Sequence, residues 1–378
     1  MLSVCGPAPA GLRHRQSFTG RSREGPIAGR ELAPEETGVS RFEPVSMTRA
    51  VPATARQPVG DGLLHARASG VLLFTTYLVL FLYWYSAETF WTAQNLLNVA
   101  RNVSFVGIMA IGQAMVIITG GIDLSMGSVL GLAGMVAGVL LNHEHGVALA
   151  FAVALAAGIA AGALNGFLVV RVGMPPFVPT LGMLSLARGL AFVLSEGRSI
   201  SDFGRASDAF RTLGAGELGG VPTPILYLIG VTATGSLFLS ATPWGYRLYA
   251  IGGHEEAARL AGIPVGAMKF FVYVVSGGLA ALAGVLTTSW LGVAQASAGT
   301  GQELDVIAAV VIGGTSLSGG QGTVPGVIIA AALAGLIRNG LVQVQVSSYW
   351  TPVAVGALLI AAVWVDQVRT RRLRLLRQ

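Results

Sequence analysis

Gly120-Gly121-Ile122-Asp123-Leu124-Ser125 and Gly313-Gly314-Thr315-Ser316-Leu317-Ser318 are two copies of one short phrase. Each lies between apolar runs too long and too poor in charge for the loops of a water-soluble domain, so each marks a glycine-broken turn at or inside a membrane. A broken, polar segment at membrane depth is costly unless it is buried in protein or lines a wet cavity. Both copies are therefore candidates for a transport pathway, with Gly120, Gly121, Gly313 and Gly314 as its structural glycines.

Composition points the same way. Hydrophobic residues make up 53% of the chain and charged residues 11%, against roughly 25% charged in soluble domains, which is too little charge to cover a water-soluble surface. The 52 glycines suit transmembrane helices, where small residues let backbones approach closely. Gly158, Gly162 and Gly166 recur at four-residue spacing, as do Gly127/Gly131 and Gly134/Gly138. This reads either as close helix packing or as plain richness in Gly and Ala. The single cysteine, Cys5, excludes an internal disulfide.

Outward from the two phrases, apolar runs cover Ala68 to Ser86, Ser104 to Thr119, Met126 to Leu141, Val147 to Val170, Phe177 to Leu194, Pro224 to Ser240, Phe270 to Trp290, Asp305 to Ile312, Val324 to Ile337 and Trp350 to Val365. With roughly 20 residues needed to cross a bilayer, the expected fold is an all-α polytopic membrane protein of about ten transmembrane segments, some short or re-entrant, with glycine-broken helices. The transmembrane body spans 68–366. Before it, residues 1–67 read as a disordered cytoplasmic tail without an apolar run; either Met47 is the translation start or 1–46 belong to that tail. A basic cytoplasmic tail, 367–378, follows.

Arginines set the orientation. Arg49, Arg56 and Arg67 precede the first run, and Arg369, Arg371, Arg372, Arg374 and Arg377 follow the last. An even number of crossings then puts both termini in the cytoplasm by the positive-inside rule. The segment from Thr242 to Lys269 lies inside as well. Within it His254 to Ala261 reads as a short helix stopped by Gly262. Such a helix is too short to be stable alone in water. It is either a loop helix packed on its own membrane domain or a coupling helix seated in a cytoplasmic partner.

Lys269 is the chain's only lysine, and it follows Met268 rather than the glycine of a phosphate-binding loop. A standard Walker A motif needs Gly-Lys-Ser/Thr, so the chain carries none, and ATP, if used, is hydrolysed elsewhere. His143-Glu144-His145 reads as a solvated loop rather than a metal site, and no aromatic-interleaved basic patch suggests nucleic acid. No cofactor is expected.

Ionisable and amide groups at membrane depth usually face a pathway or a partner. The pathway candidates are Gln113, Asp123, Ser125, Trp290, Gln295, Gln302, Glu303 and Asp305, which together offer amide, hydroxyl and carboxylate groups with an aromatic face. Asn165 and Arg188 also carry polar groups into apolar runs. The competing structural readings are that Asp123 pairs with Arg188, or that Asp123 and Ser125 cap the helix that follows.

Three stretches carry a resemblance. Gly121-Ile122-Asp123-Leu124-Ser125 with Gly127-Ser128, the stretch from Ala250 to Ile263, and the stretch from Ala298 to Leu317 with its Gln302-Glu303-Leu304-Asp305 core resemble the membrane permease subunits of bacterial ABC sugar importers of the ribose, xylose and galactoside type, in the branched-chain amino acid/sugar permease superfamily. Gln302 stands where a tyrosine is usual. The resemblance implies a homodimer in the inner membrane, coupled to a separate cytoplasmic ATP-binding subunit and fed by a periplasmic or extracellular sugar-binding protein. It also implies that Gly253, His254, Glu255, Glu256, Ala257, Ala258, Arg259, Leu260, Ala261 and Gly262 contact the ATPase. Ion-coupled secondary transport of a small polar solute is the alternative, since broken helices suit it too; a membrane-anchored receptor or structural protein is a remoter one. Pentoses, hexoses, methyl pentoses and inositol all remain open as cargo.

Overall fold

The computed structural model describes residues 90–343 and isolated positions between 345 and 364. The runs Ala68–Ser86 and most of Trp350–Val365, and the two tails, lie outside the described residues. All eight runs between them are helical: α1 (Ala93–Ile118), α2 (Met126–Asn142), α3 (Val147–Val170), α4 (Phe177–Ser195), α6 (Thr223–Ala241), α9 (Val265–Leu291), α10 (Gln302–Ile312) and α11 (Val324–Gln343). Three short helices complete the described set: α5 (Ser207–Gly214), α7 (Pro243–Gly253) and α8 (Glu255–Leu260). A two-residue hairpin, β1 (Glu217–Leu218) with β2 (Val221–Pro222), is the other regular element, so the fold is all-α in substance. Six helices, α1, α3, α4, α6, α9 and α11, are long and apolar enough to cross a bilayer, while α2 is shorter.

The boundaries have local causes. Thr92 caps α1 by accepting from the Asn95 amide at 3.3 Å. Thr242 caps α7 by accepting from the Gly245 amide at 3.1 Å, with Pro243 opening the first turn. Helix α4 ends at Glu196 in a left-handed conformation, and α9 ends the same way at Gly292. Helix α1 starts eleven residues before the apolar run at Ser104. Asn95, Asn98, Arg101 and Asn102 broke the run, yet they fit the helix because they have partners: Asn95 and Asn339 exchange amide hydrogen bonds at 3.0 and 2.8 Å, and Arg101 pairs with Glu217 at 2.9 Å.

Helix α9 is the hub, packed against α1, α2 and α3. The four-residue glycine spacing on α3 is a packing device. A Cβ at Gly158 would strike Ala281 and the Gly277 carbonyl, one at Gly162 the Tyr273 carbonyl, and one at Gly166 the Phe270 ring at 3.0 Å. Backbones therefore touch along this seam.

Both glycine phrases close a helix in the same way. After α1, the Gly120 amide donates to Ile117 and the Gly121 amide to Val116; after α10, the Gly314 amide donates to Val311 and the Thr315 amide to Val310. Each is a Schellman closure with a left-handed glycine, Gly120 at φ +80° and Gly314 at φ +92°. The structural equivalence thus pairs Gly120 with Gly314, one residue off the sequence match. Gly121 has another task, since its Cβ would lie 2.6 Å from the Tyr273 hydroxyl.

Helices α2 and α10 are half-length and meet start to start. The segment 294–301 runs antiparallel along α2, with Ala294 against Gly138, Ala296 and Ala298 against Gly131, and Gly299 against Gly127. Helix α10 therefore begins where α2 begins and leaves in the opposite direction.

Candidate functional site

The two broken segments and the loop between α6 and α9 converge on a glycine junction. The Gly320 amide donates to the Ile118 carbonyl at 2.9 Å, joining the chain after the second phrase to the end of α1. Gly252, in the last turn of α7, is pressed into the same place: a Cβ there would collide with the Ile118 carbonyl oxygen and the Gly320 amide nitrogen. A Cβ at Gly319 would lie 2.9 Å from the Gly252 carbonyl oxygen. Tyr249 ties α7 down further, its hydroxyl donating to the Gly322 carbonyl at 2.9 Å. Three backbone segments are in contact here with no side chain between them.

Helix α8 follows immediately. His254 caps it, its Nδ1 accepting from the Ala257 amide at 3.2 Å. Gly262 stops it at φ +80°, the Gly262 amide donating to Arg259 and the Ile263 amide to Ala258. The expected glycine stop is present as a Schellman closure. Ala258 faces inward onto Ile251, Leu248, Val265 and Met268, while Glu256 and Leu260 face outward, Leu260 at 82% exposure. Glu255 is tethered to the body, accepting from Lys269 Nζ at 2.6 Å and from Arg259 at 3.2 Å. The Lys269 hydrogen bond holds the Glu255 carboxyl below its usual range against the opposing effect of burial. A depressed carboxyl stabilises above its unfolded pKa and loses that contribution only as pH falls through the folded value, so the tether is intact at neutral pH.

Asp123 sits in a buried hydrogen-bond cage. Its Oδ1 accepts from the Ser125 amide at 2.9 Å and the Ser125 hydroxyl at 2.6 Å, and its Oδ2 accepts from the Ser276 hydroxyl of α9 at 2.7 Å. Asn165 of α3 donates to Ser125 Oγ at 3.0 Å. The carboxylate therefore fixes the broken segment to α3 and α9. Neither structural reading from the sequence is realised as stated. Arg188 donates instead to the carbonyls of Ala296 and Ala298, both at 2.6 Å. Asp123 closes an Asx turn on Ser125, and Ser125, at the N-cap of α2, makes no side-chain capping bond.

The remaining pathway candidates scatter. Glu303 lies at the meeting of the half-helices, its Oε2 where a Cβ of Gly127 would be, and its Oε1 accepts from the Gly301 amide at 3.2 Å. Gln113 is fully buried in α1, neither of its side-chain polar atoms having a hydrogen-bond partner. Gln295 is exposed. Trp290 packs on Phe105 with ring centroids 5.5 Å apart. Gln302 and Asp305 share a cleft of about 210 Å³ between α1, α10 and α11, where Asp305 is ion-paired with Arg338. Asn98, Asn102, Arg338 and Asn339 also line this cleft and were missed from the sequence. Arg338-Asn339 directly follow the run that ended at Ile337, and Asn95, Asn98 and Asn102 recur at helical spacing; both signals were readable.

Comparison with known proteins gives a consistent result. The family described as branched-chain amino acid transport system / permease component matches residues 95–363. The chain is 41% identical over 278 residues to the ribose import permease protein RbsC of Haemophilus influenzae, covering 73% of this chain and 86% of that one. It is 42% identical over 282 residues to the RbsC of Escherichia coli K12, covering 74% and 88%. It is 32% identical over 354 residues to the xylose transport system permease protein XylH of the same strain, covering 78% and 90%. A solved inward-facing structure described as a metal-chelate type ABC transporter aligns at TM-score 0.48 and 14% identity, over 78% of this chain and 99% of that one.

Proposed function

We propose a function from one premise: the chain belongs to the branched-chain amino acid transport system / permease component family. On this reading it is the membrane subunit of an ATP-driven importer of a monosaccharide or related polyol in the bacterial inner membrane. It forms the translocation path as a homodimer with both termini cytoplasmic. A separate ATPase binds α8, and a periplasmic or extracellular binding protein delivers the sugar. The relatives named for ribose and xylose import support the sugar class. The observation that carries the coupling role is the seating of α8: anchored through Ala258 beside the glycine junction, it leaves Leu260 and Glu256 free for a partner. Force on α8 has a direct backbone route through Gly252 to the end of α1 and to the loop between α10 and α11.

Replacing Gly262 with valine tests this role. Nothing lies within 4 Å of a Cβ at Gly262, so the change acts through φ alone, at about 1–2 kcal/mol for a left-handed residue with a side chain. The variant is expected to insert and assemble normally but to lose most sugar-stimulated ATP hydrolysis in the reconstituted complex, and Glu256→Ala to weaken it. Unchanged stimulated hydrolysis in both variants would remove the coupling assignment.

The opposed starts of α2 and α10 favour a second reading. Half-helices that meet within a membrane also suit ion-coupled carriers. The two readings separate on whether ATP or an ion gradient drives flux.

A further inference from the structure

The cleft between α1, α10 and α11 has no assigned role. We propose that it is a subsite for one neutral monosaccharide on this subunit, gripped by Asp305, Arg338, Asn339, Gln302, Asn98 and Asn102. The inference rests on the importer reading above and adds the place where the permease itself holds the sugar.

The lining argues for a polyol. Six side chains with hydrogen-bonding groups line the cleft from three mainly apolar helices. Several have protein partners, Asn339 with Asn95, Asn98 with Arg101 and Asp305 with Arg338, and the donors and acceptors left over call for water or a polar ligand rather than hydrocarbon. Asp305 is buried, yet its ion pair with Arg338 borders the open space rather than a sealed core. Gln302 lines the cleft, and its Oε1, buried without a partner, becomes an acceptor for a hydroxyl once the side chain turns toward the opening. Carboxylate, guanidinium and amides together both accept and donate, which is what adjacent hydroxyls of a sugar need.

Charge and size narrow the class. One carboxylate and one guanidinium leave the lining with no excess charge, so a neutral sugar fits and a sugar phosphate lacks the surplus cation it requires. The cleft, about 210 Å³ and open on one side, has room for a small sugar ring. Gly335 closes the floor, where a Cβ would lie 2.6 Å from Val103. The bland alternative is an ion pair that only clamps α10 to α11.

The test uses the assembled permease–ATPase complex in lipid, without the binding protein, in a Cys5→Ser background that removes the only native thiol. Asn102→Cys places a thiol at an exposed lining position. Its labelling rate by a small water-soluble thiol reagent is measured with D-ribose, with D-xylose, with ribose 5-phosphate and with a disaccharide. The expected result is ready labelling, slowed several-fold by tens of millimolar ribose or xylose, on the scale of a millimolar site, and unaffected by the phosphate ester or the disaccharide. Asp305→Asn or Asn339→Ala added to this background should raise the protecting concentration about tenfold, the weight of a charge-assisted hydrogen bond. An unreactive thiol, or labelling indifferent to sugar, would overturn the subsite. Should Asn102→Cys fail to assemble, the concentration dependence of import by Asp305→Asn and Asn339→Ala, measured with the binding protein added, decides: a shift of about tenfold supports the site, and wild-type dependence overturns it. Absence of ATP-driven sugar import by the unmodified complex supplied with its binding protein would instead sink the importer reading itself.

Discussion

Gly252→Ala is expected to abolish import while the subunit still reaches the membrane. A single methyl at this position would enter the space held by the Ile118 carbonyl and the Gly320 amide. Both are backbone, and their own hydrogen bond joins the two glycine-broken segments. No side chain can swing aside, so relief requires the end of α7 to move away from α1. Overpacking of this kind costs about 1–3 kcal/mol or more, and a clash with backbone on both sides puts this case toward the upper end, where about 1.4 kcal/mol already gives tenfold. The displacement falls where α8 meets the membrane body, so coupling should fail before folding does. Sugar-stimulated ATP hydrolysis in the assembled complex should drop at least about tenfold. Gly230→Ala, on α6 with nothing within 4 Å of the added methyl, is the matched control and should behave as wild type. Equal activity of Gly252→Ala and the control would show that the junction transmits nothing.

Asp123→Ala carries the second large effect. It removes the acceptor for the Ser125 amide, the Ser125 hydroxyl and the Ser276 hydroxyl at once. Each buried group left unsatisfied costs about 1–3 kcal/mol, so both the broken segment and its attachment to α9 should loosen. Asp123→Asn keeps one oxygen, which can still close the turn on Ser125, and loses only the acceptor toward Ser276. Gly314→Leu lies between them. Its Cβ meets nothing, and its cost is the left-handed backbone at φ +92°, about 1–2 kcal/mol. Thermal unfolding of the purified complex and labelled-sugar flux in vesicles should therefore rank the variants Asn, Leu, Ala in increasing severity. Wild-type unfolding and flux in Asp123→Ala would show that the cage bears no load.

Much of this architecture was legible in the sequence because apolar length and glycine punctuation are strong signals in a membrane protein. Val147–Val170 matches its run at both ends, and Gly262 stops α8 as its position suggested. What escaped notice depends on contacts between distant parts of the chain. The start of α1 was hidden because Asn95 and Arg101 look like loop residues until Asn339 and Glu217 appear opposite them. Arg338 was lost beyond an apolar run although it pairs with Asp305 of α10. The one-residue offset between the glycine phrases could not be read from their letters, since the matching letters differ from the matching backbone. The resemblance to sugar permeases located α8, but only the packing reveals that Gly252 joins it to both breaks.

The central claim is that sugar crosses this subunit by the force of ATP hydrolysed on a partner and delivered through α8. The most direct test is uptake of labelled ribose or xylose by vesicles containing this chain, its ATPase and its binding protein. The expected uptake requires ATP on the ATPase side, survives ionophores that collapse every ion gradient, and is lost in Gly252→Ala. Uptake by this chain alone, driven by an ion gradient and indifferent to ATP, would contradict it.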